Sequence, residues 1–482
     1  MVKVLRSWKT CYKFFQAFLL FLIFSDLVAF ATSYDEEMKQ ANFAVENGDW
    51  KSARDHFDNA RMTLPSSAEA QAAYEFCSFS AGANKEETLK HLTKIIEEYP
   101  DSPEAHMYRG MFLSDTGNTE SAFKDLSKAI SLRANLPNAL RYRALIYERK
   151  NQPLHAIDDF STVLKTPSKT GLDYFFRGKL FFSQNKLLES INDLDMAERM
   201  KIFLPELYKY RGMAKVDLHS YSQAEADLSK ALEMSKDDTS ILFSRAEAFS
   251  RQGKYDKAIA DLSAAIKISP ASAELYNKRG HALRASGKLK ESALDFEKLT
   301  AVRGIASDFT NLGMVYSMMG RNENAIAAYD KSIKLDPKIA MTFNNRGTAH
   351  AALGHHEKAL ADYAKALELD SAYSRNLAGG GGAEFALSNR ARLYARLNKH
   401  REAIKDITDF LNCRPTAGDN YNWFFLRASE HLRNGQPANA IQDFWRAVYL
   451  LPKWILFAVL GAIGAMISIA VQWLRTRSKR GR

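Results

Sequence analysis

Cysteine is scarce, with 3 residues in 482. No CxxC pair and no zinc-type spacing of Cys and His occurs, which excludes a metal-stapled or dithiol redox fold. Only Cys77 and Cys413 lie beyond the first 31 residues. Far apart in the chain and without metal-ligand neighbours, both are expected to be small buried side chains. Asn is common, yet no Asn-x-Ser/Thr sequon exists, which speaks against a glycosylating lumen or for a host that glycosylates little. There is no glycine-rich phosphate loop and no nucleophile elbow. His355 and His356 fall in a turn and are expected to be solvated. No catalytic residue, metal or cofactor is therefore expected, and the chain does not read as an enzyme. Clustered charge is also missing from the body. The formal net charge is +11, but Lys3, Arg6, Lys9 and Lys13 at one end and Lys453 to Arg482 at the other hold most of it. A nucleic-acid surface needs clustered Lys and Arg, so no nucleic-acid partner is expected.

The ends are apolar as well as basic. Phe14 to Phe24 is a short apolar run after four basic residues, followed by Ala29-Phe30-Ala31, the small-x-small pattern of a cleavage site. Residues 1–31 are expected to be a signal peptide, with an uncleaved signal anchor as the alternative. Trp454 to Leu474 contains no charged residue, and 21 helical residues span about 30 Å. A transmembrane helix is expected at 454–474, flanked by Trp454 and Trp473 and followed by a basic cytoplasmic tail at 475–482. Gly461 and Ala465 offer a small-xxx-small face for a homodimer through that helix. Lys479-Arg480-Gly481-Arg482 is similar to a dibasic retrieval signal. Together these predict a single-pass membrane protein of the secretory pathway, in the endoplasmic reticulum, with its body in the lumen.

The body repeats itself at 34 residues. Phe243-Ser244-Arg245-Ala246 leads to Gly253, Ala258-Ile259, Asp261-Leu262, Ala265 and Pro270. One period later Lys278-Arg279-Gly280 leads to Gly287, Ser292-Ala293, Asp295-Phe296 and Leu299. Positions 8, 20 and 27 are small, 11 and 24 large, 15 a turn residue and 32 often Pro. The pattern resembles that of the tetratricopeptide repeat (TPR) family. Repeats start at 34, 69, 103, 137, 171, 205, 239, 273, 306, 340, 384 and 421. The resemblance implies an all-α, right-handed superhelical solenoid of antiparallel helix pairs, to which the transmembrane helix is added. Small residues at 8 and 20 let the two helices approach, and large ones at 24 fill the space to the next repeat. No repeat buries its own apolar face, so stacking supplies the core. Residues 34–370 are expected to hold repeats 1–10 and 384–452 repeats 11–12. The Gly-rich segment 371–383 between them is expected to be a linker.

The repeats form an alignment within one chain. Position 7 is Arg in nine of them: Arg109, Arg143, Arg177, Arg211, Arg245, Arg279, Arg346, Arg390 and Arg427. Position 23 is Asp in the same nine: Asp125, Asp159, Asp193, Asp227, Asp261, Asp295, Asp362, Asp406 and Asp443. The other three lack both, with Gln40 and His56, Glu75 and His91, and Leu312 and Ala328. Presence and absence together predict contact, hence a structural Arg–Asp ladder. The resemblance also implies that the first helix of each repeat lines a concave groove through positions 2, 5, 9 and 12. That maps a soft apolar surface onto Met38, Met107, Met111, Leu145, Phe175, Phe182, Lys209, Met213 and Phe243. Protein or peptide ligands are the expected partners there, beside the membrane at 454–474. The expected function is a membrane-anchored scaffold or adaptor. The alternatives are a lumenal co-chaperone that holds unfolded clients and an organelle receptor with a cytosolic array.

Overall fold

The computed structural model describes residues 31–45, 48–373, 382–413 and 420–452. These residues form twenty-four helices and no strand, from α1 (31–45) and α2 (Trp50–Thr63) to α24 (Pro437–Leu450). Two compact units divide the chain, Met1–Gln252 and Gly253–Arg482.

In the first unit the arrangement is shown by α5 (Pro103–Asp115), α6 (Thr119–Leu132) and α7 (Pro137–Arg149). Pro at the first helical position starts α5 and α7, where its missing N–H costs no hydrogen bond. The Ser102 hydroxyl caps α5 by accepting from the Ala105 amide at 3.2 Å, and the Asn118 side chain caps α6 through Ser121. Between the two helices of a repeat, position 15 is left-handed throughout most of the array. Gly117, Gly253, Gly287, Gly320, Gly354 and Gly435 take φ between +73° and +88° there, and Asn151, Asn185 and Asn398 take +56° to +58°. His219 occupies the same place at φ +61°. This conformation is what reverses the chain, and Gly adopts it without strain.

The pairs close through position 8. A methyl group on Gly110 would sit 2.7 Å from Leu126 Cγ, and one on Gly212 2.6 Å from Leu228 Cγ. Those leucines hold position 24, whose residues in the first eleven repeats, from Phe57 to Ile407, are at most 2% exposed. In the second unit α17 (Ala306–Met318) and α18 (Asn322–Leu335) repeat the scheme, with Gly313 against Tyr329. There α19 (Ala340–Ala352) pairs with α20 (His356–Tyr373), and α21 (Gly382–Arg396) with α22 (His400–Cys413). The last pair is α23 (Tyr421–Arg433) with α24. Residues 374–381, and with them most of the linker expected at 371–383, lie outside the described residues.

Two expectations are corrected. No helix among the described residues is long and apolar enough to cross a membrane. The helices of the array from α2 on run from 11 to 18 residues. The span expected at 454–474, the basic tail and residues 1–30 lie outside the described residues. Over the described residues the fold class is therefore an all-α helical repeat solenoid with no membrane-spanning helix, and the expected single-pass, lumenal placement in the endoplasmic reticulum has no support from them. The second concerns cysteine: Cys77 is buried as expected, but Cys413 is exposed at the end of α22. Burial pushes the Cys77 thiol up to about 12.

Candidate functional site

Position 7 sits on the first helix of a repeat and position 23 on the second, directly before the buried position 24. A carboxylate there has its back to the core and its oxygens toward the facing helix. Arg109 Nε and Nη2 donate to the two oxygens of Asp125 at 2.6 and 2.9 Å. The same two-bond fork joins Arg143 to Asp159, Arg177 to Asp193 and Arg211 to Asp227. In the second unit it joins Arg279 to Asp295, Arg346 to Asp362, Arg390 to Asp406 and Arg427 to Asp443. Planar guanidinium and carboxylate match edge to edge, which makes this a strong, oriented pair. Arg245 and Asp261 fall in different units, and Arg245 is held by the Ser229 hydroxyl at 3.2 Å.

The third nitrogen of the fork reaches the preceding repeat. Arg177 Nη1 donates to Ser161 Oγ at 3.1 Å, Arg279 Nη1 to Ser263 Oγ at 3.1 Å, and Arg346 Nη1 to Asp330 at 2.6 Å. One Arg thus joins its own second helix and the second helix before it. The acceptors hold position 25, a register of small or acidic residues that the sequence shows two places after every ladder Asp except Asp443. Arg211 gathers the densest cluster, adding Asp195 at 2.7 Å and Glu198 at 2.6 Å. Burial raises the Glu198 carboxyl, but bonds from Arg211, Lys230 and Tyr208 outweigh it and bring it down to about 2. Burial likewise opposes ionisation of Asp125, yet its bonds from Arg109 and His106 hold it below the usual carboxylate range.

The three repeats without the pair solve the same position differently. Glu75 and His91 form the rung with its chemistry exchanged, His91 Nδ1 lying 3.1 Å from Glu75 Oε2. His56 turns to Glu37 at 2.8 Å. Leu312 and Ala328 are both buried in one apolar cluster with Phe296 and Val315.

The residues mapped to a groove separate into two sets. Met38, Met107, Met111 and Phe175 are buried in the cores of the first unit. Leu145, Phe182, Lys209, Met213 and Phe243 are half-buried, with Lys209 bound to Asp238 at 2.9 Å and Phe182 against Tyr210. Position 5 is covered: Met38, Met107, Phe175, Thr310, Asn344 and Ser388 hold it and are buried, while Arg141, Lys209, Phe243 and Asn277 hold it and are half-buried. Large apolar side chains stand free at position 2 instead, at Leu172 (43% exposed), Met341 (53%) and Phe385 (61%). Sequence reasoning passed over Met341 and Phe385, although the repeat register alone places them.

Beside these two lies a row of amides. Asn389 Nδ2 on α21 donates to Asn344 Oδ1 on α19 at 3.0 Å, and Asn344 Nδ2 donates to Asn345 Oδ1 at 3.2 Å. Asn389 also reaches the exposed Thr348 hydroxyl at 3.4 Å. Neighbouring first helices therefore present exposed Met341 and Phe385 next to polar groups that donate and accept. Among the described residues no three His, Cys, Asp or Glu side chains converge as a metal site would need.

Models of known families match two stretches, one described as TPR repeat over residues 247–287 and one as tetratricopeptide repeat over 304–372. No curated protein matches the chain. Among solved structures, the C-terminal part of a TPR repeat-containing protein from Cytophaga hutchinsonii is 20% identical. That likeness covers 52% of this chain and 98% of that one, with a TM-score of 0.42. YrrB, a TPR protein described as having an unusual peptide-binding site, is 20% identical over 41% of this chain and 97% of its own, with a TM-score of 0.36. The APC/C hetero-tetramer Cut9–Hcn1 is 12% identical over 88% and 95%, with a TM-score of 0.39. Helix pairs in a 34-residue register, and two stretches that family models recognise, establish that this chain carries tetratricopeptide repeats.

Proposed function

We propose that the protein is an interaction scaffold that holds an extended segment of a partner protein against the first helices of its repeats. The observation that carries this reading is the surface shared by α19 and α21. Met341 and Phe385 give two exposed apolar anchors on adjacent helices, and the half-buried Asn389 and Asn345, bridged by the buried Asn344, supply amide groups beside them. A peptide main chain carries the same donors and acceptors as an Asn side chain, so an extended segment can pair with the row while its side chains sit on Met341 and Phe385. In the first unit, Leu172 and the half-buried Leu145, Phe182 and Met213 make a corresponding face on the first helices. The Arg–Asp rungs serve it indirectly: they hold the helices in register so that the face is pre-formed, which limits the ordering cost of binding.

A peptide-display selection on the full chain tests this. Peptides should enrich and bind in solution, and Phe385→Ala or Asn389→Ala should weaken them at least about tenfold, the loss of one anchor contact. No enrichment, or affinities unchanged by both substitutions, would sink the reading.

A further inference from the structure

On α21 the positions 385, 389, 392 and 396 follow the spacing of one helix face, so Phe385, Asn389, Arg392 and Arg396 lie in a single row. Phe385, Arg392 and Arg396 are exposed and Asn389 is half-buried. The row runs from an apolar anchor through an amide to two cations one turn apart.

Arg392 is held in place, but not by a carboxylate. Its guanidinium lies over the Trp423 indole of α23, 4.8 Å from the ring centroid. Trp423 is buried, and its ring packs on Phe410 of α22 with centroids 4.4 Å apart. A ring fixed in this way is a rigid plate, and a guanidinium resting on it keeps its N–H groups for an acceptor. Among the described residues Arg392 has no ion pair. Arg390, two residues earlier, spends Nε and Nη2 on the two oxygens of Asp406. The two arginines of one helix thus have different tasks.

The charge around Arg392 has one sign. The matching row of α19, at 341, 345, 348 and 352, is uncharged, and that of α23, at 422, 426, 429 and 433, holds only Arg433. Glu430 of α23 is buried and already bound to His400 at 2.6 Å and Arg433 at 3.1 Å. Glu384 precedes Phe385, about 12 Å along the helix axis from Arg392.

We propose, building on the scaffold reading, that the extended segment bound on this face is acidic, and that Arg392 and Arg396 receive two of its carboxylates in an acid-x-acid pattern beside the apolar residue seated on Phe385. The spacing fits. Four helical residues set the two arginines about 6 Å apart along the axis, and side chains two apart on an extended chain are about 6.6 Å apart. A single carboxylate at a chain end would fill one arginine and leave the other, so the pair suits acidic side chains within a segment. Guanidinium and carboxylate match edge to edge, which turns an apolar contact into a selective one.

Peptide display on the full chain tests this. Enriched peptides should carry two acidic residues separated by one, next to an apolar residue. In solution Arg392→Glu should weaken them at least about tenfold, the loss of a charge-assisted contact, and added salt should weaken them on the native chain. Exchanging their acidic residues for Lys should restore binding to the Arg392→Glu chain. Arg396→Glu, which leaves the Trp423 ring contact intact, should act in the same direction. Peptides with an amidated end should bind as well as free acids. Enriched peptides that depend on Phe385 but carry no acidic pattern and ignore both charge reversals overturn the inference and leave the scaffold reading standing. A requirement for a free terminal carboxylate overturns it as well, assigning the arginines to a chain end. If nothing enriches, the inference and the scaffold reading fall together.

Discussion

At the scale of single residues nine of the twelve repeats are organised by one guanidinium each. In eight of them the ladder Asp is buried and receives two charge-assisted bonds, so removing either partner strands a charge. Asp295→Ala should cost about 3 kcal/mol, the lower end for a buried pair because Arg279 keeps some contact with water. Arg279→Leu with Asp295→Ala copies the Leu312/Ala328 solution and should recover more than half of that loss. Urea unfolding of the three variants decides it, and a double variant as weak as the sum of its parts would refute the comparison. The carboxylates also predict a pH dependence. Glu198 has a depressed folded value, about 2, so its contribution is complete above its unfolded value of about 4.3 and fades as pH falls toward 2. Asp125 is lowered in the same direction. Stability should therefore drop between pH 4.5 and 2 on this count. Glu198→Gln should flatten the profile there, and an unaltered profile would show that the cluster does not contribute.

The helix pair is the next scale, and its constraint is close approach at position 8 with a chain reversal at position 15. The two places make opposite demands on substitution. A methyl on Gly313 would lie 2.5 Å from Tyr329 Cε1, and a buried ring cannot yield, so Gly313→Ala should destabilise by about 1–3 kcal/mol. His219 pays left-handed strain at φ +61°, where other repeats have Gly or Asn. His219→Gly should stabilise by about 1 kcal/mol. Thermal melts of the two variants should move in opposite directions, and a common sign would contradict the account. The helix pair also explains why the ladder was legible in the sequence while the ligand face was not. Positions 7 and 23 vary together across twelve copies, so the chain supplies its own alignment. Position 5 varies freely among Met, Ala, Phe, Thr, Asn, Ser, Arg and Lys, and nothing in that list reveals that neighbouring first helices cover it. The methionines at 38, 107 and 111 looked like an adaptable groove because softness suits both a ligand surface and a core.

On the scale of the whole molecule, stability is divided among neighbours. Each repeat touches only those beside it, so unfolding should not be a single transition. Probes placed in repeat 1 and in repeat 6 should give different urea midpoints, the terminal repeat lower; coincident curves would show coupling stronger than nearest-neighbour packing. Repeat 9, with apolar Leu312 and Ala328 in place of a rung, lacks the Arg fork that elsewhere reaches back to the repeat before it.

The sequence by itself determined the period, the helical class, the partners of the ladder and the turn at position 15. These follow from local spacing and from the repetition of one unit, and every copy restates them. Tertiary structure decided what the copies share with one another. It showed that one Arg bridges two repeats, that Glu75 and His91 replace a rung with exchanged chemistry, and that position 5 is wholly or half buried while Met341 and Phe385 remain at the surface. It also left Phe444 uncovered where eleven equivalents are buried. Burial is a property of the neighbouring helix and not of the residue, so a pattern read along one chain could not assign it.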